Sequence, residues 1–222
     1  MLWDLIVIRL LIKLSDLKNN MQGNLFIVSA PSGAGKTSLV HALLACNQEI
    51  KLSVSYTTRT PRPGETEGKD YHFIDHANFL AMQKHGDFLE YAEVYGNLYG
   101  TSKSWIETEI SKGNDILLEI DWQGAAQIRL AFSDCISIFI LPPSLKALES
   151  RLQARGQDEP YVIMQRLNAA KEDIAHVGEF DYVIINDQLE IALQQLNAVV
   201  VATGLRRDRQ LARQHTLIDQ LQ

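Results

Sequence analysis

Ala30-Pro31-Ser32-Gly33-Ala34-Gly35-Lys36-Thr37 sets two glycines, a lysine and a hydroxyl at the spacing of a loop that wraps phosphates. Gly33 and Gly35 can take backbone angles closed to other residues, so consecutive main-chain N–H groups can crowd round phosphate oxygens. Lys36 would reach the terminal phosphates of a nucleoside triphosphate, and the Thr37 hydroxyl would ligate Mg2+. Ala30 stands where the pattern G-x-x-x-x-G-K-S/T has its first glycine, which would strain the turn if a positive φ were needed there. The flanks are those the loop requires. A β-type run, Asn24–Ser29, precedes it, and a helical pattern, Ser38–Leu44, follows. A helix starting near Lys36 adds its unpaired N–H groups and the positive end of its dipole.

Further constellations carry polar side chains suited to the triphosphate, its Mg2+ or a nucleoside monophosphate. In Thr57-Thr58-Arg59-Thr60-Pro61-Arg62-Pro63-Gly64-Glu65, two guanidinium forks sit on a proline-stiffened loop and suit a phosphate dianion better than lysines would. Tyr71 and Tyr99 could donate phenolic O–H groups to the same phosphate. Glu90 interrupts an apolar run, Phe88-Leu89-Glu90-Tyr91-Ala92; a carboxylate there can accept from the N–H edge of guanine, which adenine cannot match. Glu119 and Asp121 stand two apart on a predicted strand, so both would project from one face near the loop, one acid orienting Mg2+ and its waters, the other meeting a base. Arg151, Arg155 and Arg166 flank the polar turn Gly156-Gln157-Asp158-Glu159-Pro160, as in a helical lid closing over a triphosphate.

With Leu118–Gly124 and Tyr95-Gly96-Asn97-Leu98-Tyr99-Gly100-Thr101, these segments resemble guanylate kinases of the bacterial type, over about Gly23 to Ala202 and in the family's order. The resemblance implies an ATP:GMP phosphotransferase with Mg2+, giving ADP and GDP, acting also on dGMP, in cytoplasmic purine metabolism and GMP recycling. It implies that Arg59, Arg62, Tyr71 and Tyr99 clamp the GMP phosphate. Glu90, Ser55, Thr101 and Asp121 would read the base, with Glu119 and Gly124 beside them. The family most often has aspartate where this chain has Glu119, which approaches Mg2+ through water. The lid arginines would neutralise the transferring phosphoryl group, with Lys36 and Arg59. Asn186 and Asp187 would border adenine. Related domains also serve as peptide-binding scaffolds, but those lose the loop lysine that this chain keeps. A kinase for AMP or a pyrimidine nucleotide is the rival within enzymes. A GTPase switch would need an Asn-Lys-x-Asp motif, which is missing from the sequence.

The elements must place these groups together. Strand-length apolar runs, at Leu25–Ser29, Leu52–Thr57, Asp115–Asp121, Cys135–Leu141 and Tyr182–Asn186, alternate with helical periods at Thr37–Ala45, Ser102–Lys112, Gln123–Leu130, Ser144–Gln153, Val162–His176 and Leu189–Val201. That is an α/β chain with a parallel-sheet P-loop NTPase core, in which ligands collect beyond the carboxyl ends of the strands. Arg59–Gly100, rich in Gly, Pro and Tyr, reads as a small antiparallel GMP-binding insert. The expected organisation is an extension at 1–20 outside the fold and a domain at 21–202. Within the domain, 21–57 and 101–202 form the core, about 58–100 the insert and about 151–166 the lid. A helical tail occupies 203–222.

Composition bounds the rest. The chain has 222 residues, 46% hydrophobic and 22% charged, ample for a packed core. A formal charge of -6 disfavours nucleic acid as a partner. Leu5–Ile12 is apolar, but Asp4, Arg9 and Lys13 interrupt it, too short and charged for a membrane span. Cys46 and Cys135 read as buried free thiols. His72 and His76 lie four apart across a strand-to-turn stretch and do not read as a metal pair. Arg206, Arg207, Arg209 and Arg213 read as a solvated tail helix or a homo-oligomer contact.

Overall fold

The computed structural model describes residues 23–154 and 159–221, so the N-terminal extension and Arg155 lie outside the described residues. Strand β1 (Leu25–Ser29) is buried along its whole length and is the middle of a five-stranded sheet. Its neighbours are β7 (Asp115–Glu119) and β8 (Ile136–Leu141), flanked in turn by β2 (Ile50–Leu52) and β9 (Tyr182–Ile185). Every pairing is parallel. Alternation explains why the central strands β1, β7 and β8 are mostly apolar: successive side chains enter opposite layers, and both layers are covered there, whereas on the edge strand β9 Tyr182, Val183 and Ile185 are exposed.

On one face Phe26, Val28, Leu117, Ile138 and Ile184 pack against Leu39, Val40 and Leu43 of α1 (Lys36–Cys46) and Leu196 and Val200 of α7 (Leu189–Gly204). On the other, Leu25, Ile27, Ile116 and Leu118 meet Ile106 and Ile110 of α3 (Lys103–Ser111) and Ala125 and Ile128 of α4 (Trp122–Ala131). A separate small core, Leu148, Leu152 and Ala170, joins α5 (Leu145–Ala154) to α6 (Pro160–Ala175), the two helices flanking the predicted lid turn.

The apolar run predicted as one strand, Leu52–Thr57, is two. Ser53 still donates its N–H to Leu117 O, after which the chain leaves the core sheet and β3 (Tyr56–Thr57) enters a second one. That sheet has the order β4-β3-β6-β5, with β4 (His72–Phe73), β5 (Phe88–Val94) and β6 (Asn97–Ser102). β6 is antiparallel to β3 and β5, but β3 and β4 are parallel, because the long Pro- and Gly-rich connection at 58–71 brings the chain back in the same direction. The insert also holds a helix that the sequence reading passed over, α2 (His76–His85), started by the Asp75 side chain accepting from Asn78 N–H and ended by Gly86 at φ 77.

The tail forms two short helices, α8 (Arg207–Arg213) and α9 (His215–Gln220). Arg213 returns to the core, 3.3 Å from the buried Asp115 carboxylate, which also accepts from Asn24 N–H. Cys46 is exposed rather than buried, since it closes α1 at the surface, and Cys135 is half-buried. No helix among the described residues is long and apolar enough to cross a membrane.

Candidate active site

The phosphate loop leaves β1 at the carboxyl edge of the sheet, where parallel topology opens a crevice. Gly33 and Gly35 sit at φ 91 and 92, so their lack of a Cβ is used. Tyr95 is the only positive-φ residue other than glycine among the described residues, so Ala30 carries no such strain. Gly35 is the N-cap of α1 and supplies no side chain to it. By contrast α2, α3 and α4 are each capped by their own Asp75, Ser102 and Asp121. The first N–H groups of α1 are thus left for an external acceptor, at the positive end of the helix.

Two side chains hold the loop from beneath. Asn186, expected beside adenine, is buried and donates its Nδ2 to Ala34 O at 2.8 Å. Arg151, expected on the phosphates, donates to Asn186 O at 2.8 Å and to Ala34 O at 3.3 Å. Both therefore brace the loop backbone in this structure, and Asp187 is exposed. A polar residue ending β9 lies under the loop because β9 runs parallel to β1 with β8 between them.

Above the loop lies a cavity of about 490 Å³, lined by Ala30, Ser32, Gly33, Gly35, Lys36 and Thr37 on one side and by Ser55, Arg62, Tyr71, Glu90 and Tyr99 of the insert on the other. Lys36 donates its ammonium to Ile120 O at 3.0 Å. Thr37 Oγ1 donates to Glu119 Oε1 at 2.5 Å, which sets a hydroxyl and a carboxylate together at the loop. Asp121 also lines the cavity, but the strand ends at Glu119. Asp121 is instead the N-cap of α4 and accepts from Gly124 N–H at 2.9 Å. The two acids meet the cavity from a strand end and a helix cap, and not from one strand face.

Glu90 is 3% exposed and accepts from Thr101 Oγ1 at 2.5 Å through Oε1. Its Oε2 faces Gly124, where any Cβ would collide with it. The position is fixed by Gln127 of α4, whose amide accepts from Tyr91 N–H and donates to Tyr91 O. Burial pushes the Glu90 carboxyl up to about 7; the Thr101 hydrogen bond and Lys36 oppose this, and Asp121 adds to it.

The arginine loop is folded on itself. Arg59 pairs with Glu65 at 2.7 Å, and the same carboxylate accepts from Arg62 N–H at 2.7 Å. Arg59 stacks its guanidinium over Tyr71, 5.3 Å from the ring centre, and Tyr71 meets Tyr99 edge-on at 5.9 Å. Arg62 lines the cavity; Arg59 lies behind the tyrosines. Burial, then Glu119 and Tyr99, raise the Tyr71 phenol to about 12, so it stays a donor at neutral pH.

From the lid side, Arg166 donates to Ser32 Oγ at 2.9 Å and faces the cavity with Ala169, Glu172 and Asp173. Burial and Asp121 raise Asp173 to about 6. Sequence reasoning passed over Asp173, Trp122 and Tyr95. The spacing 166, 169, 170, 173 marks one helix face and would have pointed to Asp173. The Trp122 ring stacks on His176 at 3.5 Å, which joins α4 to the end of α6.

A family model for guanylate kinase matches residues 22–203. The guanylate kinases of Methylobacillus flagellatus and Dechloromonas aromatica are each 56% identical over 201 residues, covering 90% of this chain and 100% of theirs. The crystal structure of guanylate kinase from Anaplasma phagocytophilum superposes with a TM-score of 0.70 at 35% identity, over 85% of this chain and 89% of that one.

Proposed function

The chain belongs to the guanylate kinase family, and we infer from that premise and the site that it transfers the γ-phosphoryl group of ATP to GMP, giving ADP and GDP. The observation that carries the reading is a single cavity with a phosphate loop on one wall and a buried carboxylate, Glu90, on the other. One wall suits a triphosphate. The other suits a base edge that offers two adjacent donors, as guanine N1–H and N2–H2 do.

A phosphate oxygen of GMP attacks the γ-phosphorus in line, the bond to the β–γ bridging oxygen breaks, and no side chain is phosphorylated. Catalysis then rests on positioning and charge neutralisation. Lys36 and the loop N–H groups bear on the triphosphate oxygens. Arg166 and Arg155 neutralise charge on the transferring group, and Arg151 acts through the loop it braces. Arg62, Tyr71 and Tyr99 hold the GMP phosphate, with Arg59 reaching it by exchanging Glu65 for the substrate. Glu90, oriented by Thr101, accepts from guanine N1–H and N2–H2, with Ser55 and Asp121 at its sides. The residues assigned here bear on base and phosphate, which dGMP shares with GMP, and dGMP is proposed as a substrate on that ground.

Mg2+ fits the site. Thr37 Oγ1 and Glu119 are already together, and among the described residues no cluster of three acidic, histidine or cysteine side chains offers a closed cage. Thr37 would ligate the ion, with Glu119 holding its water, and the ion would neutralise phosphate charge. Cytoplasmic GMP recycling is the setting proposed for the activity. Release of ADP, measured across GMP, AMP, CMP and UMP, tests the reading: GMP must be preferred by orders of magnitude, and comparable rates with AMP would overturn it.

A further inference from the structure

Tyr95 and Gly96 form the two-residue tip between β5 and β6, with φ of 50 and 73. Two positive φ values in such a loop make the turn that favours Asn, Asp or Gly at its first position. A tyrosine there is a poor choice for the backbone, so its side chain needs another reason to be present. The residue is 57% exposed and lines the cavity described above. Its phenol stands near Ser32 of the phosphate loop, and Arg166 and Asp173 of α6 lie close enough to act on its charge, all four residues lining the same cavity. Ser32 Oγ accepts from Arg166 Nη2 and Nε, at 2.9 and 3.2 Å. One side chain thus stands where three pieces of the molecule converge on the cavity: the insert tip that carries it, the phosphate loop and the lid helix.

We propose that Tyr95 is a positioning residue that ties the acceptor-binding insert to the phosphate loop and α6, holding the two substrate phosphates in register and keeping water from the cavity mouth. Its action would be exerted through Ser32 and Arg166, which are already joined to each other by hydrogen bonds. Register matters because a displacement of about 1 Å in a reacting pair can cost on the order of a hundredfold in rate. Exclusion matters because water at the γ-phosphorus breaks the same bond and yields ADP and inorganic phosphate in place of GDP.

This inference rests on the phosphotransferase reading, and the test separates the two. ADP and GDP are measured independently for wild type, Tyr95→Asn and Tyr95→Phe, with thermal melting on each. Asparagine suits the turn, so the melting temperature should hold or rise. Its kcat should fall at least tenfold, with a smaller change in the KM for GMP, and ADP should exceed GDP. Phenylalanine keeps the cover but loses the hydroxyl tie, and should fall a few-fold. If Tyr95→Asn keeps kcat within about twofold and forms ADP and GDP one to one, or if Tyr95→Phe equals wild type, the tie is overturned. A wild-type protein that forms no GDP would instead overturn the phosphotransferase reading itself.

Discussion

Glu90→Gln is the substitution that bears most directly on base recognition. The carboxylate is buried, with Oε1 taken by Thr101 at 2.5 Å and Oε2 held against Gly124 on α4. Guanine would present N1–H and N2–H2, two donors, to this group. An amide in the same place keeps one acceptor and adds an NH2, and Thr101 and guanine then compete for the single oxygen. At least one donor faces a donor, and a charge-assisted pair becomes neutral. The loss is about 1.5–3 kcal/mol, or roughly 10- to 150-fold in kcat/KM for GMP. AMP, with an acceptor at N1, should lose little, so the GMP/AMP ratio collapses. Arg59→Ala is the control: it bears on phosphate alone and should weaken both nucleotides alike.

The pH profile adds an independent arm. With the Glu90 carboxyl raised to about 7 by burial, and only the ionised form able to accept two donors, about a tenth of the protein is competent at pH 6 and about nine-tenths at pH 8. Apparent kcat/KM for GMP should therefore climb about tenfold between those values. The substrate phosphate also titrates near pH 6, but Glu90→Gln retains that contribution, so the ratio of wild type to variant isolates the carboxylate. An unchanged GMP/AMP ratio, or superimposable pH profiles for the two proteins, would refute the assignment and move base reading to Asp121 and Ser55.

Three other outcomes follow from the geometry. Lys36→Ala should lower kcat at least about a hundredfold with little change in melting temperature, since its one hydrogen bond among the described residues is to Ile120 O; retention of a tenth of the rate refutes its role. Asn186→Ala removes the donor beneath Ala34 O and leaves the longer Arg151 contact; it should cost about 1–3 kcal/mol in denaturant unfolding and raise the KM for ATP, while Asp187→Ala does neither. Glu90→Gln should also stabilise the fold at pH 8. A carboxyl raised from 4.5 to about 7 contributes its full stability below 4.5 and loses it as pH rises through 7, a few kcal/mol by linkage, whereas an amide loses nothing; equal melting temperatures at pH 8 contradict this.

The sequence discloses some of these groups and hides others, and the division follows how far each depends on partners distant in the chain. The phosphate loop is legible because its chemistry lies in consecutive backbone angles, and Gly33 and Gly35 at positive φ are the local requirement itself. The alternating core is legible because two covered faces force apolar residues into most positions of the central strands. Helix α2 was readable in principle from Asp75 and Gly86, but Phe79 is its one buried residue, so little apolar periodicity marks it. Asp121 shows the limit of period-two reasoning. Alternation places it on a strand face, but capping α4 stabilises a turn there, and the carboxylate reaches the cavity by another route.

Arg151 and Asn186 mark a different boundary. Their identity and spacing suit a nucleotide, yet both spend their hydrogen bonds on Ala34 and on each other. A glycine-containing loop has little side-chain packing of its own, so an anion site made of backbone N–H groups needs its carbonyls held from below. Gly35 shows the closeness of that support: a Cβ there would run into Asn186 Nδ2. Polar residues at the ends of parallel strands thus divide between ligand contact and loop support according to which strand carries them. β1 opens into the loop and β7 delivers Glu119 to the cavity, whereas β9, two strands away, can reach only the underside of the loop. That division is a property of strand order, which no local motif contains.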